Sequence, residues 1–277
     1  MNPTAHDSPL GKQAAGSAHY DPGLLFPIAR AGKRAELGIG ASLPFHGVDI
    51  WNAWELSWLD ARGKPRVAIG EFRIPAASAN LIESKSLKLY LNSFNQHRCE
   101  TRDDLQAMLV RDLSAAAGSA VEVALTDITA PAINPLTDLE GRCIDGLDIA
   151  VDRYGPPDPG LLGLAPDGGE TEERLVSHLL KSNCPVTGQP DWASIQVHYA
   201  GAKLDDAGLL RYLISFRLHD DFHEQCVERM FSDIQRRCAP RRLTVQARYT
   251  RRGGLDINPW RSNFDQGRPA NPRLLRQ

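Results

Sequence analysis

A chain of 277 residues, 42% hydrophobic and 24% charged, has the size and balance of one large globular domain or two ordinary ones. Its formal charge of −2 gives no polyanion- or membrane-surface signature, and no apolar run reaches the length of a membrane span. Five cysteines (Cys99, Cys143, Cys184, Cys226, Cys238) with no C-x-x-C pair argue against a disulfide framework or zinc ribbon, and the N-terminus lacks signal or transit patterning, so a cytoplasmic location is expected.

Residues 1–40, rich in Ala, Gly and Pro with little periodicity, read as an N-terminal tail or arm. A first module is expected over 41–151. Within it "RVAIGEFRIP" (66–75) alternates as a half-buried strand, and Leu87, Tyr90, Leu91 and Phe94 recur at helical spacing. Thr101 is placed as the N-cap of the next helix, followed by acids in its first turn, and "AVEVALTDI" (120–128) reads as a strand. Pro and Gly cluster in 152–173, which reads as a surface linker. A second module is expected over 174–277, with strands at 193–201 and 242–250. Between them lie a helix carrying Leu209, Tyr212, Leu213 and Phe216 and a helix over "DFHEQCVERMFSDIQRRC".

The two modules are copies. Residues 87–109 align without gaps on 209–231, matching Tyr90/Tyr212, Leu91/Leu213, Ser93/Ser215, Phe94/Phe216, His97/His219 and Met108/Met230. Each reads as strands, a helix pair, then strands, about two strands on either side. That order implies an α+β module with helices on one face of an antiparallel sheet.

Chemistry concentrates in "SNCPVTGQPDW", 182–192. By residue type alone Cys184 could be a buried small hydrophobe, a metal ligand or a nucleophile, and Asp191 a turn residue after Pro190 or an acid. "ESKSLKLY" (83–90) resembles the signature of the NADPH-dependent 7-cyano-7-deazaguanine reductases, the nitrile reductases of queuosine biosynthesis. "SNCPVTGQPDW" resembles the catalytic segment of the same family in its long, two-module form. The resemblance implies tandem tunnelling-fold (T-fold) modules, each ββααββ, and reduction of a nitrile to a primary amine with two NADPH per turnover. Cys184 would add to the nitrile carbon to give a covalent thioimide, and Asp191 would donate the proton. Ile82, Glu83, Ser84, His223 and Glu224 are implied as substrate contacts, and Ser84, Lys85, Arg252 and Gly253 as cofactor contacts. Covalent catalysis would split a difficult reduction into easier steps, and only the thiolate is nucleophilic. No G-x-G-x-x-G follows a strand, so Rossmann-type binding of the dinucleotide is not expected. Lys85 with Arg251 and Arg252 suits a phosphate, the 2′-phosphate included.

The duplication adds to this. Anchoring G-x-P of "ARGKPRV" on that of "VTGQPDW" sets Arg66 where Asp191 stands, with no cysteine near position 60. Conversely, the second copy has "DDAGLLRY" in place of "ESKSLKLY". One active site per chain, assembled from both modules, is therefore expected. His219 and His223 are spaced to share a metal, yet His97 repeats His219, and no metal is expected. The expected partners are the small-molecule substrate and a second copy in a homodimer, with no direct nucleic-acid or membrane contact. A zinc-dependent T-fold hydrolase of the pterin type and a non-enzymatic deazapurine- or tRNA-binding module are the alternatives.

Overall fold

The computed structural model describes residues 19–129 and 136–277, so the first eighteen residues of the expected arm lie outside it. The described chain forms two units that interleave along the sequence. The first takes residues 19–36, 48–129 and 251–257, and the second takes 37–47, 136–250 and 258–277.

In the first unit the order is β1 (Pro27–Ala29), α1 (Arg30–Glu36), β2 (His46–Leu59), β3 (Pro65–Pro75), β4 (Asn80–Ile82), α2 (Ser84–Asn92), α3 (Arg102–Ala117) and β5 (Glu122–Thr126). β2 and β3 form a long antiparallel hairpin, and β5 adds antiparallel to β3. Alternate β3 side chains Ala68, Phe72 and Ile74 are buried together with Tyr90 of α2, Phe94 just beyond it, and Leu105, Leu109 and Leu113 of α3. Period two on the strand and period three-to-four on the helices thus close one core. Thr101 caps α3 as expected: its Oγ1 accepts from the Asp104 amide at 3.1 Å, and the Asp104 carboxylate accepts from the Thr101 amide at 2.9 Å.

The second unit contains β6 (Arg142–Cys143), β7 (Glu170–Asn183), β8 (Pro190–Ala202), α4 (Asp206–Ile214), α5 (His223–Cys238), β9 (Arg242–Tyr249) and the Asn258–Ser262 part of β10 (Leu255–Ser262). Its strand order is β6-β7-β8-β9-β10, antiparallel except for β6 on β7. From β7 to β10 this is ββααββ. In the first unit the described residues place one strand, β5, after the helix pair.

The duplicated residues have matching structural roles. Tyr90 donates to Asp112 and Tyr212 to Asp233, each at 2.7 Å; Ser93 and Ser215 donate to the carbonyls of Tyr90 and Tyr212, each at 2.6 Å. The duplication also extends into stretches read as arm and linker. "DPGLL" occurs at 21–25 and again at 158–162. In both, the aspartate Oδ1 accepts from the glycine amide at 2.9 Å, and the aspartate amide donates to the serine (Ser93 or Ser215) at 3.2 Å. Within the expected arm, β1 pairs with β4, and Arg30 makes a buried ion pair with Asp49. Three-residue strands and single turns are too short to show a period, which is why this part of the sequence reads as an arm. Among the described residues no helix is long and apolar enough to cross a membrane.

Candidate active site

The hairpin joining β7 to β8 carries Cys184 at the first position of its loop. The Cys184 amide donates to Gln189 O at 2.9 Å, and its carbonyl accepts from the Gly188 amide at 3.0 Å. Gly188 has φ +64°, a conformation that a side-chain-bearing residue rarely adopts. Across the hairpin Ser182 stands opposite Asp191. The strand end is tied to the segment before α5: Asn183 N donates to His219 O at 2.8 Å, and Asp221 N to Asn183 O at 3.1 Å. Helix α5 therefore begins beside the hairpin, and His223 in its first turn places Nε2 3.4 Å from Asp191 Oδ2. Cys184, Asp191 and Glu224 are all buried.

His223 is held from its other side by Tyr249 of β9, with ring centroids 3.9 Å apart. The Tyr249 hydroxyl lies in a buried cluster with Ser182 and Cys226. Among the described residues neither hydroxyl makes a well-aligned hydrogen bond, although both are within electrostatic reach of the Cys226 thiol. Burial, then the neighbouring Cys226 and Asp191, hold the Tyr249 phenol well above its ordinary range. Burial, then Asp221, likewise pushes the Cys226 thiol far up, so this sulfur is kept protonated.

The corresponding hairpin of the first unit repeats this frame with other chemistry. Asp60 N donates to Lys64 O at 2.9 Å, and Asp60 O accepts from Gly63 N at 2.8 Å. Pro65 stands opposite Leu59 as Pro190 stands opposite Asn183. Asp60 thus holds the place of Cys184 and Arg66 that of Asp191, and the two form an ion pair at 2.9 Å. The Lys64 amide, ahead of Arg66, holds the Asp60 carboxyl below the usual range.

The other predicted residues gather in the first unit. Glu83 is the N-cap of α2 and fully buried, with Oε1 accepting from Lys85 N at 2.7 Å and Oε2 from Ser86 N at 2.8 Å. Oε1 also accepts from the Ser84 hydroxyl at 3.5 Å. Ile82, at the end of β4, pairs with Pro27, and Ser84 opens the helix. Arg252 and Gly253 form the turn before β10, with Gly253 at φ +62° and Gly254 at φ +80°. A Cβ added at Gly253 would lie 3.1 Å from Lys88 Cε, so the turn lies directly against the signature helix. Arg251 lies over the Trp54 ring, 4.4 Å from its centroid.

Comparison with known proteins settles the family. Residues 17–125 match the model described as nitrile reductase, 7-cyano-7-deazaguanine-reductase N-term, and residues 190–268 match QueF-like protein. The NADPH-dependent 7-cyano-7-deazaguanine reductase of Bordetella pertussis is 59% identical over 271 residues, 98% of each chain. Proteins of the same name from Burkholderia vietnamiensis (56% over 277 residues, 100% of each chain) and Chromobacterium violaceum (59% over 275 residues, 99% of this chain and 98% of the other) are similarly alike. The chain belongs to the 7-cyano-7-deazaguanine reductase family.

For this reductase family member the structure brings the predicted residues into two groups. Cys184, Asp191, His223 and Glu224 sit on the β7–β8 hairpin and the start of α5; Ile82, Glu83, Ser84 and Lys85 sit at the start of α2, in the same unit as Arg252 and Gly253. His219, spaced to share a metal with His223, instead places Nε2 3.4 Å from Asp221. Tyr249, within the strand expected over 242–250, and Lys88, within the signature at 83–90, are not among the candidate site residues of the sequence; distant segments pack on both.

Proposed function

We infer that this chain is an NADPH-dependent oxidoreductase that reduces the nitrile of 7-cyano-7-deazaguanine to the primary amine in queuosine biosynthesis. The observation that carries this is 56–59% identity with reductases of that name over essentially the whole of both chains. NADPH supplies hydride when bound. Lys85, Arg252 and the amides of the Gly253–Gly254 turn fit a phosphate-bearing cofactor. The two consecutive left-handed glycines let the backbone turn tightly, with the Lys88 side chain against Gly253 and Glu55 against Gly254.

We propose the following roles for the chain's own residues. Cys184, as thiolate, attacks the nitrile carbon; a C–S bond forms, the nitrogen takes up a proton and a thioimide results. Asp191 gives that proton, since nitrogen gains charge as carbon is attacked. His223, 3.4 Å from Asp191, supports that carboxyl group, and Glu83 and Glu224 are each carboxylates suited to accept from the N–H groups of a deazaguanine. Once carbon has been reduced, the C–S bond breaks and Cys184 leaves as thiolate. The buried carboxylate of Glu83 at the start of α2 supports its role as an acceptor, and the absence of a thiol and of an acid at the respective counterparts of Cys184 and Asp191 supports one catalytic cysteine per chain. Both residue groups are needed for turnover in this reading, and the chain works as a homodimer with no direct nucleic-acid contact.

The deciding experiment is mass spectrometry of the protein mixed with 7-cyano-7-deazaguanine without NADPH. An adduct localised to Cys184 is expected, disappearing when NADPH is added. Nitrile-dependent NADPH oxidation by a chain that forms no adduct at Cys184 would overturn the mechanism while leaving the activity standing.

A further inference from the structure

We propose that Cys143, Asp145 and His178 form a binding site for a transition-metal ion of the zinc type, separate from the residues assigned to nitrile reduction. Their thiol, carboxylate and imidazole ligand atoms all lie within 4.8 Å of one another. An ion with bonds of about 2.0–2.3 Å to such ligands would draw them together through side-chain rotation.

Each ligand is held from behind. Cys143 stands opposite Val176 in the parallel β6–β7 pair, and Ile144 N donates to Val176 O at 2.9 Å. The Asp145 oxygens accept from Ser177 Oγ at 2.6 Å and from the His178 amide at 2.8 Å, which orients the carboxylate and leaves one lone pair on each oxygen. His178 sits at the irregularity of β7 between Ser177 and Leu180, which frees its side chain from strict strand alternation. Its Nδ1 is 2.8 Å from Ser194 Oγ, and Arg276 donates to the same oxygen at 3.0 Å. With a metal on Nε2, Nδ1 would carry the proton and donate it to Ser194, the outer-shell arrangement that fixes a ligating imidazole.

The donor set chooses the ion. Thiolate and imidazole favour zinc or cobalt over magnesium or calcium, which take oxygen ligands. Binding expels the Cys143 thiol proton, and three protein ligands leave a fourth position for water. Cys143 is exposed, so the ion has a path in from solvent. Once bound, it would pin the short β6 segment to β7, the strand that leads into Cys184.

The test uses full-length protein stripped with chelator, desalted and loaded with zinc chloride, with bound metal measured by elemental analysis. One zinc per chain is expected in wild type and in Cys184→Ala, and none in Cys143→Ser or His178→Ala. Cobalt loading should give a thiolate-to-metal charge-transfer band in Cys184→Ala that Cys143→Ser lacks. Zinc retained by Cys143→Ser, zinc lost from Cys184→Ala, or no zinc bound by wild type would each overturn the proposal.

Discussion

Asp191 Oδ2 and His223 Nε2 stand 3.4 Å apart, the carboxylate carried by a strand and the imidazole by the first turn of a helix. The Tyr249 ring, its centroid 3.9 Å away and tilted by 41°, packs against the imidazole. In the proposed mechanism this carboxyl group, close in sequence to the thiol, protonates the nitrogen while sulfur bonds to its carbon.

Asp191→Asn should therefore slow formation of the Cys184 adduct, and NADPH oxidation with it, by about 10²–10⁴-fold, the usual range for a positioned acid. The rate of adduct formation followed by mass, alongside stopped-flow absorbance at the NADPH band, separates the two steps. Adduct formation at the wild-type rate would remove Asp191 from the protonation of the nitrogen.

Alkylation should be selective among the five cysteines. Cys184→Ala should lose the substrate adduct and all turnover. In wild type stripped of metal, iodoacetamide should modify exposed Cys143 whether or not substrate is present, and Cys184 only in its absence. Cys99, Cys226 and Cys238 are buried with thiols pushed up, chiefly by burial, so at neutral pH they should react slowest. Peptide mapping gives the order directly.

Asp60→Cys should not create a second reactive thiol toward the nitrile. The substitution restores sulfur at the counterpart of Cys184, but Arg66 remains where Asp191 would be needed. The expected mass spectrum shows a single adduct per chain, and a doubly modified chain would show that the hairpin frame alone is sufficient.

Arg252→Ala should raise the KM for NADPH at least about tenfold, equivalent to some 1.4 kcal/mol, and alter the KM for NADH much less. Equal effects on both cofactors would remove the 2′-phosphate from its role. Gly253→Ala should weaken NADPH binding too, because φ +62° strains any residue with a Cβ and the new methyl group would push on the Lys88 side chain 3.1 Å away.

Stability should fall at alkaline pH. Tyr20 donates to Asp112 at 2.6 Å, and its phenol is pushed up to about 12, first by burial and then by that carboxylate. A folded-state value above the unfolded one near 10 means that the stabilisation is full below about pH 10 and is lost as pH rises through about 12. Tyr20→Phe should flatten that limb in denaturant titrations. Tyr212→Phe, which removes a buried donor to Asp233, should cost about 1–3 kcal/mol at neutral pH.

The sequence by itself determined the module plan and the family. Apolar spacing set the helix pairs and strands, Thr101 marked a helix start, and the repeat placed Arg66 opposite the role of Asp191 before any coordinates. Each of these depends on neighbours a few residues apart, where periodicity, capping and turn chemistry act. Tertiary structure decided the rest: that Asp191 meets His223 against Tyr249, that the Gly253 turn lies against Lys88, that residues 27–36 form elements rather than an arm, and that Cys143 and Asp145 reach His178. Those meetings are fixed by strand register, a bulge in β7 and long-range packing, none of which has a local period for a sequence to display.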